Sequence, residues 1–190
     1  MKKCVLFSIS PFPAVWYNTF MQKTNIKNTL FITQAAVIAA LYVTLTILAW
    51  GFDLASGMIQ CRFSEALTVL PFFTPAAVPG LFAGCLLANF ITGAALPDII
   101  FGSIATLIGA LGTYMLRKHR FLCSWPPVIA NSLIIPFVLR FAYGVPDMIP
   151  FMMLTVGAGE IITCVIFGQL LISALQPVQR IIFKSVSASA

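Results

Sequence analysis

Four ionisable residues stand where ionisable residues are costly. Arg62, Glu65, Arg140 and Glu160 fall in or beside long apolar runs, and a charged side chain at the centre of a spanning helix costs about 2.5–3.5 kcal/mol on insertion scales. Such residues line substrate or ion paths by default, or pair internally. Arg62 and Glu65 lie three apart, near enough to bond along a helix. Glu160 follows Pro150 by ten residues, which places it about 15 Å along its helix. A carboxylate offers two acceptors and suits a ligand edge with adjacent N–H donors, whereas a guanidinium suits a carboxylate or phosphate. Asn89 and Asp98, at the ends of neighbouring apolar runs, complete the candidate binding set. For Asn131 and Gln34 the expectation is hydrogen bonding between helices.

The elements that position these residues follow from hydropathy. Of the 190 residues, 60% are hydrophobic and 8% charged, with a mean hydropathy of +1.00, against roughly 25% charged in soluble domains. The bilayer is therefore the solvent, and only helices or closed barrels satisfy their backbone there. Leu30–Trp50 has no strand-like alternation, which excludes the barrel. Apolar runs predict spans near Leu30–Trp50, Ser64–Phe73, Pro75–Thr92, Asp98–Leu116, Pro126–Val145 and Pro150–Leu175. The class is an all-α integral membrane protein, a single bundle of six transmembrane helices over residues 24–176. The second span is short: ten residues rise only about 15 Å as an α-helix. Residues 1–23 read as a poorly ordered extension, with Met21 a possible true start. Lys2 and Lys3 before Cys4–Ile9 look like the opening of a signal peptide, but Pro11 and Pro13 interrupt the run and no cleavage pattern follows. Residues 177–190 read as a cytoplasmic tail.

Charge sets the orientation. With the N-terminus inside, Lys2, Lys3, Lys23, Lys27, Arg117, Lys118, Arg120, Arg180 and Lys184, nine of the eleven basic residues, are cytoplasmic, while Asp53, Asp98 and Asp147 fall at the outer side. Both termini are then cytoplasmic in a multi-pass protein. A cysteine introduced within Arg117–Arg120 is expected to be labelled only from the cytoplasm and one beside Asp147 only from outside. Labelling from the opposite side at either place overturns this topology.

Catalytic and nucleotide-binding motifs are missing. There is no G-x-x-x-x-G-K-[ST], H-E-x-x-H or G-x-S-x-G pattern, so the reading is of a non-enzyme that binds no metal and hydrolyses no nucleotide. Five cysteines (Cys4, Cys61, Cys85, Cys123, Cys164) show neither metal-ligand nor disulfide spacing. His119 sits within the basic run Arg117–Arg120. Small residues recur at four-residue spacing: Ala35, Ala36, Ala39 and Ala40 in the first span, and Gly80, Gly84 and Ala88 in the third. Such stripes let another helix approach closely, inside the bundle or from a partner.

The segments Thr29–Val43 (TLFITQAAVIAALYV) and Cys61–Gly84 (CRFSEALTVLPFFTPAAVPGLFAG) resemble the QueT family of energy-coupling-factor S components. The resemblance continues through Leu96–Lys118, Pro126–Ile134 and Val156–Cys164, over roughly residues 24–175. It implies a bacterial plasma-membrane substrate-binding subunit that captures a 7-deazaguanine precursor of queuosine at the outer face. It further implies docking on an energising module of two ATPases and a transmembrane coupling subunit. ATP would then be used by those partners, with no cofactor on this chain. Ala35, Ala36, Ala39 and Ala40 correspond to the family's docking stripe. For a guanine-like ligand, Glu65 and Glu160 are the candidate acceptors, and Phe63, Phe90, Phe101, Phe141 and Tyr143 the candidate stacking residues. Arg62 and Arg140 fit equally a carboxylate-bearing vitamin. An S component for another vitamin, or an ion-coupled secondary transporter of a small heterocyclic metabolite, remains the alternative.

Overall fold

The computed structural model describes residues 12–51 and 62–183. Lys2, Lys3, Cys4, Asp53, Cys61, Lys184 and the end of the tail lie outside the described residues, as do the side chains of Lys23 and Arg180. Among the described residues the elements are all helical. Helix α1 runs Phe12–Gly51, a 3-10 helix Phe63–Phe72, α2 Ala77–Ile91, α3 Leu96–Met115 and α4 Trp125–Ala142. The last pass is composite: α5 Ile149–Glu160, a π-helical stretch Ile161–Phe167, then α6 Gly168–Leu175, with a short α7 Gln179–Ile182 beyond it. The helical backbone of α1 thus begins inside the stretch read from sequence as an extension.

Among the described residues, six helical passes make the bundle. Four of them, Lys27–Gly51, Leu96–Met115, Leu122–Ala142 and Ile149–Leu175, are long and apolar enough to cross a membrane by length and composition. The other two, Phe63–Phe72 and Ala77–Ile91, are shorter apolar helices. Large apolar side chains such as Val37, Leu41, Leu86, Ile108, Leu133 and Leu154 are exposed on the outside, as a lipid-facing surface requires. Hydroxyls on the helices find acceptors on their own turn: Thr46 donates to the Tyr42 carbonyl at 2.9 Å, Thr92 to Ala88 at 2.9 Å and Thr106 to Gly102 at 3.1 Å. Such back-bonding removes a polar group from hydrocarbon without a partner helix.

The second pass is short because it is wound differently. A 3-10 helix rises about 2.0 Å per residue, so ten residues advance about 20 Å, against about 15 Å as an α-helix. Poor hydrogen-bond geometry ordinarily limits such runs to three or four residues. Here the segment is enclosed: Ser64, Glu65, Leu67, Thr68, Val69, Leu70 and Pro71 are all buried, so the surrounding helices hold it. Its backbone is the centre of the fold, and Glu65 projects from it.

Close approach is built from small residues. A Cβ added at Gly80 would stand 2.6 Å from the Ala35 carbonyl oxygen, and one at Gly84 3.0 Å from the Ala39 Cα. Only glycine admits α1 against α2 at these crossings. At a rotation of about 100° per residue, Ala35 and Ala39 face α2 while Ala36 and Ala40 turn away from it, and both of the latter are exposed. The four alanines therefore form two rows on different faces, one spent inside the bundle and one free.

Candidate functional site

Three of the sequence-selected residues share one cavity. Arg62, Asn89 and Asp98 line a space of about 260 Å³, together with Thr46, Trp50, Ser64 and Tyr143. Arg62 enters just before the 3-10 helix, Asn89 comes from the last turn of α2, Asp98 from the first turn of α3, and Tyr143 follows α4. Asp98 sits where a helix N-terminus favours negative charge. Its Oδ2 accepts from the Tyr143 hydroxyl at 3.0 Å and lies 3.7 Å from the Arg62 guanidinium. Arg62 thus pairs with Asp98 rather than with Glu65 three residues along. Tyr143 also accepts from the Ala95 backbone N–H at 3.1 Å, fixing its ring at the cavity wall. Asn89 donates to the Asp98 carbonyl at 3.4 Å, which ties α2 to the start of α3.

Glu65 and Glu160 meet next to this cavity. Their carboxylates and the Cys164 thiol present atoms within 4.8 Å of one another, and all three residues are buried. The Tyr42 hydroxyl donates to Glu65 Oε1 at 2.5 Å. Asn131 Nδ2 donates to Glu160 Oε1 at 2.9 Å, and Cys164 Sγ to Glu160 Oε2 at 3.1 Å. Glu65 follows Ser64, a wall residue of the cavity, while neither Glu65 nor Glu160 belongs to its lining. Glu160 is the last residue of α5 before the helix widens into its π stretch; such widening occurs often at functional sites. In Ile161–Phe167 five of seven residues are β-branched, crowded in an ordinary α turn, and this was the available signal for the irregularity.

Polar satisfaction is incomplete in this region. Among the described residues, the buried side-chain atoms without a hydrogen-bond partner are Ser64 Oγ, Glu65 Oε2, Asp98 Oδ1 and Ser132 Oγ. Two of them are carboxylate oxygens, one in each half of the site. Orphaned buried polar atoms are rare, and each has its explanation in strain, function or bound water.

Arg140 does not join the site. It is exposed and donates to the Val145 carbonyl at 2.9 Å, closing the end of α4. The aromatic expectations divide similarly: Tyr143 lines the cavity, but Phe63 packs edge-on against Phe167 with ring centroids 5.8 Å apart, and Phe90, Phe101 and Phe141 are exposed. Trp50 occupies a wall position that hydropathy alone had assigned to a span end. Tyr42 was missed for the same reason, since a lone tyrosine in an apolar run carries no pattern. Asn131 and Gln34 make the expected interhelical bonds, Gln34 donating to the Ile182 carbonyl of α7 at 3.3 Å and also accepting from Thr74 in the turn before α2 at 3.0 Å.

A family model described as the QueT transporter matches residues 32–177. The chain is also 35% identical over 77 residues to a protein named queuosine precursor transporter QueT from Lactococcus lactis subsp. cremoris (strain MG1363). That alignment covers 40% of this chain and 45% of the relative, so less than half the relative's length is spanned. No solved structure matches. The family match takes in the 3-10 helix, both halves of the site and the composite last helix, and the chain belongs to the QueT transporter family.

Proposed function

We propose that this chain is the substrate-capturing subunit of a queuosine-precursor importer: it binds a 7-deazaguanine from the outer side and passes it inward, with ATP hydrolysed by partner subunits of an energy-coupling-factor module. The observation that carries this reading is the convergence of Arg62, Asn89 and Asp98 on one cavity, with two unpartnered carboxylate oxygens beside it. A guanine-like ring presents an N–H and an NH₂ side by side, and a carboxylate accepts both. Asn89, whose amide N–H groups go to the Asp98 carbonyl and Cys85 Sγ, keeps its side-chain oxygen as an acceptor for a ring N–H. Trp50 and Tyr143 offer flat walls. The volume of about 260 Å³ lies just under the usual range of roughly 300–1,000 Å³ for ligand sites, which suits a fused bicyclic ring better than a large cofactor.

The test separates capture from transport. The purified full-length chain in lipid nanodiscs is expected to bind 7-deazaguanine without nucleotide, and cells are expected to accumulate it only when the ATPase and coupling subunits are co-expressed. Uptake by the chain alone that follows a proton or sodium gradient would replace this reading with ion-coupled secondary transport.

A further inference from the structure

Glu65 and Glu160 are the only glutamates in the chain, 95 residues apart in sequence, and the fold brings them together. Glu65 is 1% and Glu160 5% exposed, and a carboxylate oxygen of each lies within 4.8 Å of the other. Arg62 stands three residues before Glu65, but it pairs with Asp98 of α3 at 3.7 Å, and no salt bridge reaches either glutamate among the described residues. The groups that bond to the pair are neutral: the Tyr42 hydroxyl from α1, the Asn131 amide from α4 and the Cys164 thiol from the π-helical stretch. From α2 comes Cys85, in contact with Tyr42, and α6 brings no titratable residue. Fully ionised, Glu65, Asp98 and Glu160 would set three negative charges against the one guanidinium of Arg62. Two carboxylates this close and this shielded from water do not both ionise, and such pairs share a proton.

We infer that the pair is a proton-binding site, which holds one proton on Glu160 and presents Glu65 as a carboxylate. Hydrogen bonding decides the placement. A hydroxyl at Glu160 Oε2 can donate to Cys164 Sγ at 3.1 Å, and the thiol then donates to the Glu65 backbone carbonyl at 3.4 Å. Glu160 Oε1 keeps the Asn131 amide at 2.9 Å, so the protonated acid loses no partner. A proton on Glu65 would instead fall to Oε2, which has no hydrogen-bond partner, because Oε1 accepts from Tyr42 at 2.5 Å, in the charge-assisted range. A metal ion suits the pair less, since both Glu160 oxygens are turned to donors and Glu65 Oε2 alone is free. On the importer reading above, a ring N–H bound at Glu65 is held while the pair carries one proton and is released as falling pH adds a second.

Because the chain has two glutamates, carbon-13 placed at the glutamate side-chain carboxyl reports on this pair alone. Nuclear magnetic resonance of the full-length chain in lipid nanodiscs, near neutral pH and without ligand, is expected to show one signal at the carboxylic-acid position and one at the carboxylate position. Glu160→Gln is expected to remove the acid signal and leave the carboxylate, and acidification of the wild type to shift its carboxylate signal to the acid position. Two carboxylate signals at neutral pH overturn the inference, and a shift of either on adding a chelator gives the pair to a metal ion instead. Two acid signals overturn it as well. An acid signal that survives Glu160→Gln moves the proton to Glu65 and overturns the placement. The wild-type spectrum decides the proton count even if the variant does not fold. It needs no ligand, so a chain that binds no 7-deazaguanine overturns the importer reading and leaves the proton site standing.

Discussion

Replacing Ala36 and Ala40 together by leucine is expected to reduce uptake to background while the isolated chain binds ligand with near wild-type affinity. Both residues are exposed on the face of α1 that turns away from α2, so nothing inside the bundle has to move to receive the larger side chains. What they change is the outer surface, where a small-residue row at four-residue spacing lets a partner helix come close enough for backbone packing. Two leucines hold that helix off. The control is Ala35 and Ala39, one residue back in each turn. Because Ala35 and Ala39 meet Gly80 and Gly84 backbone to backbone, leucine there forces α1 from α2, and overpacking of this kind costs about 1–3 kcal/mol per site. Those variants should lose folded yield and binding together. Transport that survives the Ala36 and Ala40 change removes the docking reading, and binding lost along with transport shows the row to be internal packing. Uptake measured beside binding on the same preparation separates these outcomes.

How far the sequence carried the structure depends on which physical signal each element leaves in it. Spans α1, α3 and α4 were legible because the length of an apolar run is a direct consequence of bilayer thickness. The residues Arg62, Glu65, Asn89, Asp98 and Glu160 were legible because polarity in such runs is costly, whatever the tertiary fold. Arg140 shows the limit of that argument: near a helix end a long side chain can reach a loop carbonyl, and it does so at Val145. The pairing of Arg62 with Asp98 was beyond reach, since it joins two turns that lie close only after α3 has packed. Spacing suggested Glu65 as the partner. The 3-10 winding of Phe63–Phe72 was likewise invisible, because the helices that bury seven of its ten residues hold it in that geometry, and not any preference of its own. The split of the alanine stripe needed only the helical period, but assigning one row to α2 required Gly80 and Gly84 to be placed against it.

Glu65→Gln is expected to weaken 7-deazaguanine binding by about tenfold or more, and Glu160→Gln to weaken it less. The two carboxylates are adjacent, yet their hydrogen bonds differ. Glu160 has both oxygens occupied, one by Asn131 and one by Cys164. Glu65 has Tyr42 on Oε1 and nothing on Oε2. Under the proposed function, the free oxygen makes Glu65 the candidate reader of the ring edge and Glu160 the residue that positions it. Glutamine at 65 keeps the shape but puts an NH₂ where an acceptor stood: facing the ligand it sets donor against donor, and facing Tyr42, whose hydroxyl can accept it, it leaves the ligand only a neutral carbonyl. A buried group left unpaired in this way costs about 1–3 kcal/mol, and about 1.4 kcal/mol is a factor of ten in affinity. At position 160 the loss is smaller because Asn131 can turn its amide to present oxygen to the new NH₂, and the Cys164 thiol can still donate to the glutamine carbonyl. The measurement is equilibrium binding to each monodisperse variant, repeated with an analogue that lacks the exocyclic amino group. Wild type should reject the analogue, and Glu65→Gln should lose most of that discrimination while Glu160→Gln keeps it. If both variants bind the parent ring as wild type does, the glutamate pair only holds the 3-10 helix to the last pass, and recognition rests with Asp98 and Asn89 at the cavity wall.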